Sequence, residues 1–330
     1  MGLKISERLR GWSPIRFFWQ DGQPLVDWCL TDDVRFTDPF FEQTITRAMQ
    51  DPFRVLFRHR TPIEALGELD AENPVASPTG FIYHMSRCGS TLVAQMLAAL
   101  PDSLVISEAG PIDAVLQANR KNPLVTDRQR SDWLRWMIGA LGRRADSKNK
   151  SFFVKLDCWQ TVEMDLIRQA FPTTPWIFVY RDPVEVMVSQ FRQPAYWTLP
   201  GILDPTRFGI DPQSVLQLPR EQFCGRVLQA TLRAALDRHR KDGGFLVAYP
   251  SLPEVVWNSV GKFFGMTFSS QELESMKSAA ELDAKNPYYA FVPDSAAKQK
   301  EASEAIRTVC GEMLNPLYER MEASRVNQRA

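Results

Sequence analysis

Histidine and cysteine are scarce in this chain of 330 residues, which has only three histidines and five cysteines. The cysteines are odd in number and scattered without CxxC spacing, a pattern that predicts reduced thiols and argues against a structural zinc site. An excess of charge is missing as well, because 39 Lys and Arg balance 39 Asp and Glu. We therefore expect neither nucleic acid nor a membrane surface as a partner, and any anion site must be built locally.

Long apolar runs are also missing, since no stretch approaches about 18 uninterrupted apolar residues. The N-terminal segment has no apolar core typical of a signal peptide. With 44% apolar and 24% charged residues, the composition is that of an ordinary soluble globular protein, and we expect a cytoplasmic location. The Walker pattern GxxxxGK[ST] does not occur, and we find no convincing apolar strand ending in a magnesium-binding Asp, which disfavours a kinase or NTPase.

Short apolar segments alternate with helical periodicity along most of the chain. They predict strands at 81–85, 103–107, 151–156, 176–180 and 245–249. Such alternation favours an α/β fold with a central parallel sheet flanked by helices on both faces. Sheets of this kind bind ligands beyond the carboxyl ends of their strands, so we expect the functional site there.

Three regions follow from this pattern. Residues 1–76 form an N-terminal extension, expected to pack on the core, in which Asp21-Gly22 between two apolar runs predicts a hairpin. Residues 77–290 form the α/β domain, and residues 291–330 form a C-terminal helical segment. A loop at 192–212, rich in Pro, Gly and aromatic residues, is either a lid or substrate wall or a structural excursion.

The stretch MSRCGSTLV (85–93) follows the first predicted strand and opens a helix. The N–H groups of a helix's first turn and the helix dipole favour an anion at this point. Gly89 allows close approach of the backbone, Ser90 and Thr91 add hydroxyl donors, and Arg87 supplies a cation. The stretch therefore indicates a phosphate-binding loop, although a structural turn before a buried helix is the alternative.

A second motif, WIFVYRDPVEVMVSQF (176–191), is a strand that ends in Arg181 and is followed by a helix. Asp182 is placed as the N-cap, Pro183 as the first helical residue, and Glu185 completes a capping box. This start fixes Arg181 at the carboxyl end of the strand, and Ser189 lies about two turns into the helix. A surface arginine and an incidental serine are the alternative.

Together, SRCGSTL and YRDPVEVMVSQF resemble the sulfotransferase family, whose members use 3′-phosphoadenosine 5′-phosphosulfate (PAPS) on a three-layer P-loop-like α/β fold. The resemblance covers roughly 80–270, weakly in FFVKL and in 245–265. It implies that Arg87, Cys88, Gly89, Ser90 and Thr91 hold the 5′-phosphosulfate. It also implies that Arg181 and Ser189 hold the 3′-phosphate, that 3′-phosphoadenosine 5′-phosphate (PAP) is the product, and that no metal is required.

The sequence departs from the family pattern at two places. Cys88 stands in the loop where a small residue is usual, and a bystander thiol is the simpler interpretation. The run AYPSLP (248–253) replaces an acidic segment that is common in the family. The contribution of that segment is therefore left open.

Sulfuryl transfer needs alignment of the reacting groups and neutralisation of developing charge, which side-chain cations can supply. Arg87 is placed to contact the transferring group. Lys155, near the end of the third strand of the α/β domain, is placed to stabilise the leaving or equatorial oxygens. A strand-end lysine that reaches solvent is the alternative for Lys155.

The acceptor also needs a base, and none of the histidines lies where some family members carry one; His84 is interpreted as a packing residue. Glu108, directly after a strand, is the candidate catalytic base, with capping of the helix near Pro111 as its alternative and Asp157 as a lesser candidate. The predicted function is transfer to a hydroxyl, or less readily to an amine. A non-catalytic 3′-phosphonucleotide-binding protein is the runner-up. The sequence leaves open whether the acceptor is a small molecule, a glycan or a protein, and what the oligomeric state is.

Overall fold

The computed structural model describes residues 4–74, 77–143, 151–290 and 292–328. Its strands are β1 Trp12–Gln20, β2 Gln23–Leu30, β3 His59–Pro62, β4 Gly80–His84, β5 Ser103–Ser107, β6 Ser151–Lys155, β7 Trp176–Tyr180, β8 Phe245–Ala248, β9 Leu282–Asp283 and β10 Asn286–Ala290. The five strands predicted for the α/β domain are confirmed as β4 to β8, to within one residue at each end.

The α-helices are as follows: α1 Ile5–Arg8, α2 Phe41–Ala48, α3 Pro52–Leu56, α4 Glu64–Glu72, α5 Ser90–Ala98, α6 Gly110–Leu116, α7 Ala118–Lys121, α8 Asp127–Gly142, α9 Met164–Ala170, α10 Pro183–Arg192, α11 Arg220–Asp242, α12 Gly261–Phe263, α13 Ser270–Ala280, α14 Ser295–Glu301, α15 Glu304–Val309 and α16 Asn315–Asn327. None of the helices in the described part of the chain combines the length and the apolar character that crossing a bilayer requires.

A five-stranded parallel sheet, in the order β5-β6-β4-β7-β8, is flanked by helices, as predicted. Every residue of β4, β6 and β7 is buried. Aromatic and β-branched side chains dominate these strands because both faces of such a sheet are covered. The predicted parallel α/β fold follows from this strand composition.

The chain forms two compact units. The first comprises Met1–Phe81, Ala94–Lys155 and Asp165–Thr174. It contains an antiparallel sheet in the order β1-β2-β3, and the hairpin predicted at Asp21-Gly22 is confirmed because both turn residues have positive φ, as a tight two-residue turn requires. Helix α6 packs against β1 and α8, and α4 packs against α8.

The second unit comprises Ile82–Val93, Leu156–Met164 and Pro175–Ala330. The long helix α11 buries Phe223, Val227, Leu228 and Leu232, which confirms the apolar face predicted for it. Helix α10 contacts α14 and α15, so the C-terminal helices pack directly on the helix that follows β7. All five cysteines are buried, and none of them is in a disulfide in this structure.

Candidate functional site

The loop between β4 and α5 is held in an uncommon backbone conformation. Ser86 and Arg87 have φ of 71° and 50°. Left-handed backbone at residues other than glycine costs about 1–3 kcal/mol and is kept only where surrounding contacts enforce it. Here the Ser86 amide donates to Nδ1 of His84 at 2.9 Å, and Nε2 of Gln190 donates to the Ser86 hydroxyl at 2.8 Å. His84 therefore contacts the loop and helps to shape it, while its interpretation as a packing residue stays a prediction.

At Gly89 the backbone of the loop lies close to neighbouring side chains, as the sequence suggests. Its φ is +86°, and a Cβ at this position would lie 2.6 Å from Cδ1 of Leu252 and 3.1 Å from the ring of Tyr249. Helix α5 begins at the next residue, and the buried Ser90 and Thr91 form its first turn. The loop thus presents backbone and hydroxyl donors at a helix start with no side chain at its tightest point.

Two side chains of this loop point in different directions. The guanidinium of Arg87 donates to the Gln193 carbonyl at 2.6 Å and to its side-chain oxygen at 3.3 Å, so the end of α10 positions it. The thiol of Cys88 is fully buried and donates to the Val179 carbonyl at 3.0 Å. The backbone of Cys88 remains part of the loop, while its side chain anchors the loop to β7.

Arg181 follows β7 and is buried, with 5% of its surface exposed. Its Nε donates to Glu185 at 2.5 Å, and its Nη2 donates to Asp294 at 2.9 Å and to the Ser295 hydroxyl at 3.0 Å. Asp294 and Ser295 lie more than a hundred residues further along the chain, so sequence reasoning had no local signal for these partners. Arg181 is thus not the surface arginine of the alternative interpretation.

The start of helix α10 agrees with the prediction at Asp182 and Pro183 but differs from it at Glu185. Pro183 is its first residue, and the Asp182 carboxylate accepts from the amides of Val184 and Glu185. The side chain of Glu185 does not complete the predicted capping box but forms an ion pair with Arg181. Leaving a buried guanidinium without a charged acceptor would cost more free energy than leaving the helix start without a second cap. Four residues further on, a half-buried Ser189 lies on the same helix face as Glu185.

Tyr249 joins the two motifs. Its ring lies 3.1 Å from the position of a Cβ on Gly89, and the guanidinium carbon of Arg181 lies 3.9 Å from the centre of the same ring. The segment AYPSLP, whose role the sequence left open, therefore contributes the aromatic ring between the loop and the arginine. Desolvation raises the pKa of Tyr249 and the charge of Arg181 partly offsets this, so the phenol stays neutral at pH 7.

The charges around Arg181 balance. Nζ of Lys298, which is 4% exposed, donates to Asp294 at 2.7 Å. Arg181 and Lys298 thus face two carboxylates, Asp294 and Glu185. Although desolvation alone would raise the pKa of Asp294, hydrogen bonds from Lys298 and Arg181 lower it. Desolvation lowers the pKa of Lys298, and the bond to Asp294 partly offsets this.

Glu108 and Lys155 form an ion pair within the first unit. Lys155 Nζ donates to Oε1 of Glu108, and the Glu108 amide donates to the Lys155 carbonyl at 2.7 Å. Lys155 is 1% exposed, so it is not the solvent-reaching lysine of the alternative interpretation. Glu108 has a left-handed φ of 54° and does not cap α6, whose N-cap is Ala109.

The lesser candidate Asp157 caps a short 3-10 helix, Cys158–Glu163, by accepting from the Cys158 amide at 2.6 Å.

Within the 192–212 loop, Trp197 is buried, and the hydroxyl of Tyr196 accepts from the indole of Trp159 at 2.7 Å. This end of the loop is therefore anchored to the second unit.

Among the described residues, no group of three or more His, Cys, Asp or Glu side chains could hold a metal ion.

A family model described as "Sulfotransferase family" matches residues 78–268, which are more than half of the chain. The chain belongs to the sulfotransferase family. Sulfuryl transfer is therefore its general activity, and the parallel sheet flanked by helices is the three-layer P-loop-like α/β fold that the sequence predicts. The match includes both motifs and leaves the N-terminal 77 residues outside.

Solved structures that the chain matches include a sulfotransferase from Alicyclobacillus acidocaldarius, at 16% identity over 76% of this chain and 96% of that one, with a TM-score of 0.45. The sulfotransferase domain of the Synechococcus PCC 7002 olefin synthase is 15% identical over 76% and 94% of the two chains, with a TM-score of 0.41. Sulfotransferase STF9 from Mycobacterium avium is 12% identical over 76% and 81%, with a TM-score of 0.41. No curated protein matches the sequence.

Proposed function

We propose that the chain transfers the sulfuryl group of PAPS to an acceptor hydroxyl, with an amine as the less favoured nucleophile. The observation that carries this proposal is the contact of both motifs with Tyr249. Gly89 of the loop and Arg181 approach the same ring, so an anion-binding loop and a second cation lie around one aromatic surface. A nucleotide with phosphate groups at its 5′ and 3′ positions matches this pair of anion sites.

The donor set fits the two phosphate groups without a metal. The Arg87–Thr91 loop offers amides, hydroxyls and one guanidinium for the 5′-phosphosulfate, with the amide of Cys88 among them. Arg181 and Ser189 are assigned to the 3′-phosphate. Because Gly89 has no Cβ, the backbone of the loop can approach the phosphosulfate closely.

The reaction is an in-line displacement at sulfur. A bond forms between the acceptor oxygen and sulfur, and the bond between sulfur and the bridging phosphate oxygen breaks. PAP leaves with that electron pair, and the acceptor proton passes to the base. We assign Arg87 to the charge that develops on the leaving phosphate.

Glu108 is proposed as the base and Lys155 as the cation that stabilises sulfonate or leaving-group oxygens. Their ion pair couples the two roles, because the buried ammonium stabilises the charged carboxylate that a base requires. The left-handed backbone of Glu108 supports the assignment, since strain of this kind clusters at functional positions.

Calorimetric titration with PAP in EDTA tests the nucleotide assignment. We expect micromolar binding by the wild type, a loss of at least about tenfold for Arg181→Ala, and wild-type affinity for Arg240→Ala, an exposed arginine on α11. Absence of binding to the wild type would refute the proposal.

A non-catalytic nucleotide-binding protein is the second candidate, favoured by the ion pair that already engages Glu108. Transfer of labelled sulfate from PAPS to a panel of alcohols and amines separates the two. For an enzyme, Glu108→Gln should lose at least about a hundredfold in turnover while its affinity for PAP is unchanged. A wild type that binds PAP but sulfates nothing in the panel would favour the second candidate.

A further inference from the structure

The first unit contains a cavity of about 580 Å³, within the range of small-molecule sites. Four apolar side chains line most of it, namely Ile15, Phe17, Ile45 and Met49. Its polar lining comes from Arg16, Glu42 and Thr46, together with the backbone of Gly110. All of these except Gly110 precede residue 78, where the family match begins, so the cavity is built mainly by the part of the chain that the family resemblance does not describe.

A bulge in β1 shapes one wall of the cavity. The pairing with β2 shifts register between Pro14 and Arg16, and three consecutive residues, 15 to 17, line the cavity. In a regular strand successive side chains alternate between faces, whereas a bulge re-aims one of them. The guanidinium of Arg16 stacks 4.6 Å from the centre of the Phe18 ring, which leaves its aliphatic stem to cover apolar surface.

Two contacts connect this cavity with the Glu108–Lys155 pair. The Glu42 carboxylate accepts from the amide of Gly110, which is two residues after Glu108 and so within about 7 Å of it along the chain. At the N-cap of α2, the ring centre of Phe40 lies 5.3 Å from Nζ of Lys155. The start of α2 thus contacts both the cavity and the proposed catalytic pair.

The charges at the cavity favour an uncharged occupant. Arg16 and Glu42 carry opposite charges that offset each other, and the remaining walls are mostly apolar. The Glu42 residue is exposed overall, but desolvation of its carboxyl group raises the pKa of that group. The hydrogen bond from the Gly110 amide partly offsets this rise. The lining therefore carries no net charge that would attract a charged ligand.

Resting on the proposed function, we propose that this cavity binds the sulfuryl acceptor, and that the acceptor is an uncharged, largely apolar alcohol of drug-like size. Its hydrocarbon part packs against Ile15, Phe17, Ile45 and Met49. Its hydroxyl points toward Gly110 and the Glu108 side of the cavity. The N-terminal extension then supplies acceptor selection, while the family motifs supply the donor site.

The test uses the whole chain and 2-naphthol as the probe, with binding followed by ligand-observed NMR in the absence of nucleotide. Thr46→Trp places an indole in the cavity from an exposed position on α2, and Gln43→Trp places the same side chain on the same helix outside the cavity lining. We expect Thr46→Trp to weaken 2-naphthol binding at least about tenfold and Gln43→Trp to stay within about twofold of the wild type. The anion 2-naphthoate, of similar shape, should bind at least about tenfold more weakly than 2-naphthol.

Equal affinities of the two tryptophan variants, or of the alcohol and the carboxylate, would overturn the proposal, as would no binding of 2-naphthol to the wild type. The acceptor role is read from sulfation of 2-naphthol, for which Thr46→Trp should raise KM and leave PAP affinity unchanged. Failure of the wild type to bind PAP would instead overturn the proposed function. The two failures are therefore distinguishable.

Discussion

Replacing Asp294 with asparagine should tighten the binding of PAP. Asp294 accepts from Nη2 of Arg181 at 2.9 Å, the group assigned to the 3′-phosphate, so the nucleotide must compete with an internal carboxylate. The pKa of Asp294 is lowered by its partners, which keeps the carboxylate charged at neutral pH. Asparagine keeps the shape and the acceptor oxygen but removes this charge.

The expected gain is modest. Two unit charges about 4 Å apart interact by about 4 kcal/mol at an effective dielectric constant of about 20. The Asp294 side chain is 39% exposed, so solvent screens most of this interaction and about 1 kcal/mol remains, as in exposed ion pairs. That free energy corresponds to about a fivefold decrease in the Kd of PAP.

Calorimetry at constant ionic strength measures this change. Glu274→Gln is the matched control, because it removes one carboxylate from an exposed pair with Lys277 on α13. We expect the control to keep the wild-type Kd. If Asp294→Asn weakened PAP binding, Asp294 would be holding Arg181 in place for the phosphate and the competition argument would be refuted. A Kd equal to that of the control would refute it as well.

Two further substitutions test the loop. Gly89→Ala should lower the free energy of unfolding in urea by at least about 1 kcal/mol more than the control Gly22→Ala. Both glycines have positive φ, but of the two only Gly89 has a neighbour that a Cβ would contact, Leu252 at 2.6 Å. Equal losses of stability would show that the loop moves to accommodate the methyl group. Cys88→Ser should keep the affinity for PAP within about twofold, since a serine hydroxyl still donates to the Val179 carbonyl. A larger loss would make the thiol itself part of the anion site.

The sequence predicts the five strands of the parallel sheet because their signal is local. Short apolar runs such as FFV and WIFVY are buried on both faces of the sheet, and they can be recognised without knowledge of their partners. The N-cap of α10 is equally local, since Asp182 and Pro183 specify the start of the helix by their own geometry. These features could be predicted, and they are confirmed.

What the sequence does not predict depends on distant partners. The choice of Glu185 between completing a cap and pairing with Arg181 depends on how deeply the guanidinium is buried. Ser86, Arg87 and Glu108 have left-handed backbone although none of them is a glycine. Their conformation is imposed by packing, so the residue types alone do not predict it. The functional roles of Arg87, Arg181, Ser189, Glu108 and Lys155 follow from motif position and stay predictions until the variants are measured.

Segments outside the family match contact predicted site residues within both units of the chain. Phe40 lies against Lys155 in the first unit, while Asp294 and Ser295 bond Arg181 in the second. The family match at 78–268 contains the residues assigned to the donor and to catalysis but none of these three partners. Since each partner alters the charge or the packing of a residue assigned to the reaction, the parts of the chain outside the match are expected to set donor affinity and acceptor choice. Substitutions there should therefore change Kd and KM, whereas substitutions of Glu108 and Lys155 should change turnover.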